Sequence, residues 1–113
     1  MILVEAREIQ EAAPVSMQDR MAQAADEAAT MLKALSNPSR LLLLCQLVES
    51  ERSVSELENA LNLSQAYVSQ QLARLRAEGI VAATRNGRTV RYRLADPRIS
   101  PVIRTIYDQY CPT

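Results

Sequence analysis

The sequence predicts a mainly α-helical domain that carries one two-stranded β hairpin toward its C-terminal end. Three observations predict it. Apolar residues recur at three- and four-residue spacing in several separate stretches, the mark of helices with one buried face. Between Ile80 and Leu94 the pattern changes to period two around Asn86-Gly87, the mark of a hairpin. Capping and breaking residues fall between the stretches, where helices should start and stop.

Taken in order, residues 1–15 are acidic, weakly patterned and interrupted by Pro14, so they are expected to form a flexible arm. Residues 16–113 form the folded domain. A first helix runs from Ser16 to about Leu35, with Met17, Met21, Ala24, Ala28, Met31, Leu32 and Leu35 on one stripe. Asn37-Pro38 ends it and opens the next, since proline is tolerated in a first turn. The second helix, around Arg40–Val48, is apolar on nearly every side and is expected to be central and buried. Ser53 and Glu56 have capping-box spacing, so a short third helix starts there and reaches about Ala60. Ser64 caps a fourth helix that Gly79 stops. Ile80–Thr84 and Thr89–Leu94 are the strands of the hairpin. Asp96-Pro97 opens a last helix to about Tyr110, striped by Ile99, Val102, Ile103, Ile106 and Tyr110. The order is therefore α-α-α-α-β-β-α. The third and fourth helices form a helix-turn-helix, and the hairpin is its wing.

The total charge is zero, yet it is unevenly spread. Residues 1–32 carry a balance of −4, whereas residues 64–93 hold six arginines and one acid. A basic module beside an acidic arm points to a polyanion partner. The fourth helix supports that reading. Val68, Leu72 and Leu75 form its buried stripe, and the opposite face offers small, amide, hydroxyl and cationic groups with no carboxylate until Glu78. Such a face suits the DNA major groove. The expected reading residues are Gln65, Tyr67, Ser69 and Gln70, with Ser64 at the helix start. Arg74, together with Arg85, Arg88, Arg91 and Arg93 of the hairpin, is expected to contact phosphate. Gln71 lies toward the buried stripe and is expected to be structural. Tyr67 has a competing role in scaffold packing, and Arg91 or Arg93 in pairing with acids of the N-terminal helix.

Other classes find little support. No run approaches a membrane span, and the N-terminal residues are too short and too acidic for a signal peptide, so a cytoplasmic protein is expected. There is no histidine, the commonest general base and zinc ligand, and no phosphate loop or cofactor motif. An enzyme, a bound cofactor and a metal site are not expected. Two cysteines, Cys45 and Cys111, stand 66 residues apart. Cys45, in an apolar helix, has the ordinary reading of an inert core thiol. Cys111 lies near the chain end, where a reagent can reach it.

The element order, together with Leu32-Lys-Ala-Leu-Ser-Asn-Pro-Ser-Arg-Leu-Leu-Leu-Leu44 and Leu63-Ser-Gln-Ala-Tyr-Val-Ser-Gln-Gln-Leu-Ala-Arg-Leu75, resembles the ArsR family of bacterial repressors. The resemblance covers about Met17 to Cys111. It implies a winged helix-turn-helix homodimer, joined through the first and last helices, that represses transcription by binding operator DNA until an inducer releases it. This chain departs from the family's metal sensors. Ser53-Val54-Ser55-Glu56-Leu57 lacks their cysteines, and the last helix lacks their histidines. Its cysteines, in Leu43-Leu44-Cys45-Gln46-Leu47 and Ile106-Tyr107-Asp108-Gln109-Tyr110-Cys111, instead resemble those of a subgroup of sulfide-responsive and biofilm-growth repressors.

That resemblance implies a redox-sensing dithiol, Cys45 with Cys111. It would react with reactive sulfur species such as glutathione persulfide or inorganic polysulfide, form a disulfide or polysulfide bridge, and release DNA. The two thiols should then face each other within one protomer. A peroxide-type thiol sensor is the alternative, a metal-responsive repressor a more distant one, and a protein-binding winged domain a reading of another class.

Overall fold

The computed structural model describes residues 16–112, so the expected arm at 1–15 lies outside the described residues. The chain divides into two compact units between Thr30 and Met31, within the first helix. That helix, α1, spans Met17–Leu35. It is followed by α2 (Pro38–Glu49), β1 (Arg52–Ser53), α3 (Val54–Leu61), α4 (Gln65–Ala77), β2 (Val81–Asn86), β3 (Thr89–Leu94) and α5 (Ile99–Tyr110). Five helices and a small antiparallel sheet make up a winged helix-turn-helix.

The caps account for the boundaries. Asn37 Oδ1 accepts the Arg40 N–H at 3.1 Å and starts α2. The Arg40 side chain turns back to donate to the Ala34 and Lys33 carbonyls, satisfying the end of α1. Ser53 Oγ accepts the Glu56 N–H while Glu56 Oε1 accepts the Ser53 N–H, a complete capping box on α3. Asn62, left-handed at φ 55°, ends α3 and begins the tight turn into α4. Ser64 Oγ accepts the Tyr67 N–H to open α4. At the other end Ile80 N–H donates to the Leu75 carbonyl and Gly79 N–H to that of Arg76. This is a Schellman motif, and it needs the positive φ of 76° that glycine adopts without strain.

The sheet extends beyond the expected hairpin. The wing has its two strands, and Arg52–Ser53 adds a short third one to the sheet in the order β1-β3-β2. Arg52 pairs with Tyr92 and Ser53 with Arg91. The extended backbone that precedes the α3 cap has unpaired N–H and C=O groups, and the edge of β3 satisfies them. In the hairpin, Asn86 pairs with Thr89, so the two-residue loop is Gly87-Arg88 and the first strand runs on past Thr84. Gly87 takes φ 61° at the first loop position, as a type II′ turn requires. The last helix begins at Ile99, later than expected. Asp96 Oδ1 accepts the Arg98 N–H in a turn that precedes it.

The core is built by Leu43, Leu44 and Leu47 of α2, Leu57 of α3, Val68, Leu72 and Leu75 of α4, Ile80 and Val81, and Ile99 and Ile103 of α5. Each fully buried leucine contributes about 1.5–3 kcal/mol of apolar transfer. α2 is central but not buried all round, since Leu42 remains 54% exposed. In a small core even a central helix keeps one stripe free of other elements. This core holds α4 with its opposite face outward.

Candidate nucleic-acid interface and dithiol

The outward face of α4 presents Gln65, Ala66, Ser69, Gln70, Ala73 and Arg74, all exposed. Tyr67 is half-buried and so shares its surface between solvent and scaffold. Ser64 is exposed, but its Oγ is engaged in capping the helix. Arg74 lies 4.0 Å from Glu78, one turn on, a loose surface pair that leaves the guanidinium largely solvated. Gln71 is 8% exposed, as its position on the flank of the buried stripe implied. Its Oε1 has no hydrogen-bond donor among the described residues. Arg76, in the last turn of α4, is exposed and adds a cation to those expected at the interface.

The four wing arginines separate into two kinds. Arg85 and Arg88 are exposed at the hairpin tip. Arg93 is exposed and donates to Thr84 Oγ1 across the strands at 2.6 Å. Arg91, also expected on phosphate, points toward acids. Its Nη2 lies 3.2 Å from Glu56 Oε1 and donates to the Glu51 carbonyl at 2.9 Å. Glu51 and Glu56, at the sheet margin, are thus the acids beside Arg91.

α2, which carries Cys45, packs against α5, which Cys111 caps. Both thiols are free. Cys45 is half-buried on α2; Cys111 is exposed at the C-terminal cap of α5, its N–H donating to the Tyr107 carbonyl at 2.9 Å. Burial pushes the Cys45 thiol above the usual cysteine range, and the charges of Cys111 and then Glu49 add to that. Cys45 therefore stays protonated at neutral pH, and Glu49, one helical turn away, belongs to the site. Its spacing of four residues from Cys45 was visible in the sequence. A cleft of about 480 Å³ opens beside Cys45 between the two helices, lined also by Ile103, Arg104, Tyr107 and Asp108. Among the described residues no group of three or more His, Cys, Asp or Glu side chains converges as a metal site would require. No described helix is long and apolar enough to cross a membrane.

Comparison with known proteins follows the same lines. Residues 37–83 match the family model for the bacterial regulatory proteins of the arsR family. The biofilm growth-associated repressor of Xylella fastidiosa is 41% identical over 98 residues, covering 87% of this chain and 86% of that protein. The crystal structure of the transcriptional repressor BigR from Xylella fastidiosa superposes with a TM-score of 0.82 at 40% identity, over 87% of this chain and all of that one. The homodimeric winged helix-turn-helix DNA-binding domain of a possible ArsR-family regulator from Mycobacterium bovis gives a TM-score of 0.69 at 31% identity. It covers 86% of this chain and 88% of its own.

Proposed function

This chain belongs to the ArsR family of bacterial regulatory proteins, and from that premise we propose that it is a homodimeric, DNA-binding transcriptional repressor switched by oxidation of its Cys45–Cys111 dithiol. The observation that carries the switch is the pair of free thiols on packed helices. In the reduced state α4 enters the major groove through Gln65, Tyr67, Ser69 and Gln70, while Arg74, Arg85, Arg88 and Arg93 meet phosphates. The exposed Met17, Met21, Tyr107 and Tyr110 on the first and last helices supply apolar surface for a second copy. A two-fold dimer sets its reading helices about 34 Å apart, one turn of DNA.

The inducer is a reactive sulfur species, a persulfide of a low-molecular-weight thiol or an inorganic polysulfide. The exposed Cys111 thiolate attacks the terminal sulfur of the persulfide RSSH. The S–S bond of the reagent breaks, RS⁻ leaves, and Cys111 becomes a persulfide. Cys45 then loses its proton and attacks the Cys111 sulfur, expelling HS⁻ and closing a disulfide. A second sulfur transfer before closure gives a longer bridge. In either case α2 is tied to α5, and the protein loses its fit to DNA.

Duplex binding tests the reading. The reduced protein should bind DNA with an affinity that falls steeply with salt. Cys45→Ser and Cys111→Ser should each bind as well as the parent but stay bound after persulfide treatment. Loss of DNA binding in the reduced variants would make the cysteines structural. Release of the parent by peroxide alone would select the peroxide reading, and release by Zn²⁺ with unmodified thiols the metal one.

A further inference from the structure

The wing is fastened to the helix-turn-helix by a cluster that the switch does not use. β1 is two residues long and pairs with β3 through Arg52 with Tyr92 and Ser53 with Arg91. A ladder so short is a weak tether. Arg91 reinforces it from the same register position. Its Nη2 donates to the Glu51 carbonyl at 2.9 Å and lies 3.2 Å from Glu56 Oε1, and its Nε lies 3.8 Å from Glu51 Oε1. Glu56 Oε1 also accepts the Ser53 N–H at 2.9 Å, so one carboxylate both caps α3 and holds the wing strand. Arg91 thus joins β3, the segment before β1 and the first helix of the helix-turn-helix.

We propose that Arg91 is a positioning residue, anchored by Glu51 and Glu56, that fixes the wing relative to α3 and α4 so that both can engage one duplex. The inference rests on the DNA-binding part of the reading above and is independent of the dithiol. Glu51 and Glu56 occupy and neutralise the guanidinium that a phosphate would otherwise meet. The cluster's effect on binding is geometric. Once α4 is in the groove, contact by Arg85 and Arg88 is an intramolecular event. Its probability depends on how narrowly the hairpin is held. Arg91 sits opposite Thr84 at the middle of the hairpin, between the fixed base and the free tip.

The experiment uses the full chain and a duplex that the reduced parent selects from a random library. Affinity is followed by fluorescence anisotropy from about 50 to 300 mM salt, a range over which phosphate contacts are strongly expressed. Arg91→Met, Arg91→Lys and Glu56→Gln are each expected to weaken binding about fivefold, the scale of a partly exposed ion pair. Glu56→Gln retains an acceptor for the α3 cap. The double variant Glu56→Gln/Arg91→Met should bind no more weakly than either single change, and none should alter the salt slope. Arg85→Ala, by contrast, should lower that slope by about one. Hydrogen exchange of the Thr89–Leu94 amides should quicken in every cluster variant, DNA present or absent. A slope reduced by about one in Arg91→Met, with binding unchanged or tighter in Glu56→Gln, would make Arg91 a phosphate ligand and overturn the proposal. Unchanged exchange in the wing would overturn it as well. Failure of the parent to bind any duplex would fall on the DNA-binding reading, while the exchange measurement still decides the clamp.

Discussion

Cys45 and Glu49 lie one helical turn apart on α2, and a like charge at that spacing disfavours the thiolate. The order of events at the dithiol follows from this pair. In the proposed switch Cys111, exposed, would meet the reagent first, and Cys45, held protonated, would resolve the intermediate. Replacing Glu49 by Gln in a Cys111→Ser background should therefore speed alkylation of Cys45 about twofold at neutral pH, the size of one such pair. The gain should vanish at high pH, where the thiol is ionised in both proteins. An equal rate at every pH would remove Glu49 from the site. A second residue has its own pH signature. Hydrogen bonding from the Ser53 backbone, with a smaller effect of Arg91, holds Glu56 below the usual glutamate range. A carboxylate with a lowered folded pKa stabilises the fold above its unfolded value, and that stabilisation is lost as pH falls through the folded one. The α3 cap should thus persist below the pH at which an ordinary glutamate protonates. A chemical-shift titration of Glu56 with an ordinary midpoint would contradict it.

At the scale of elements, the stability of α4, the candidate reading helix, comes from its ends and its buried stripe. Gly79→Ala meets no atom within 4 Å, so its cost is the left-handed backbone alone, about 1 kcal/mol. Leu72→Ala, at a site with no exposure, should cost about 2–5 kcal/mol through lost burial and the cavity left behind. Chemical denaturation distinguishes the two, and equal losses would mean that the helix end is buried against something more than solvent. The elements that the sequence made legible are those with local causes: the Ser53–Glu56 box, the Ser64 and Gly79 caps, and the period-two run from Thr89 to Leu94. What was not legible depends on partners distant in sequence. β1 is two residues long, too short for any period, and exists because Tyr92 and Arg91 offer it an edge. Arg91 reads as one more wing cation until Glu51 and Glu56, 40 and 35 residues earlier, are seen beside it. Leu42 reads as core because its neighbours are leucines; only packing shows that it is turned to the surface.

At the scale of the whole molecule, input and output lie on different elements. Cys45 and Cys111 belong to α2 and α5, whereas the candidate DNA contacts belong to α4 and the wing. Neither thiol is on the candidate reading face, so in the proposed switch a bridge would act by changing how the last helix supports the dimer and hence the spacing of two reading helices. The free energy is adequate. Closing a loop of this size is worth about 4 kcal/mol in the chain-entropy model, against about 1–3 kcal/mol for a typical coupling between sites. The most direct measurement treats reduced protein, bound to its selected duplex, with a low-molecular-weight persulfide and follows release and intact mass together. The predicted result is release in step with a Cys45–Cys111 bridge, seen as a disulfide mass or as steps of about 32 Da for each added sulfur. Release with both thiols unmodified, or complete bridging with the duplex still bound, would contradict the account.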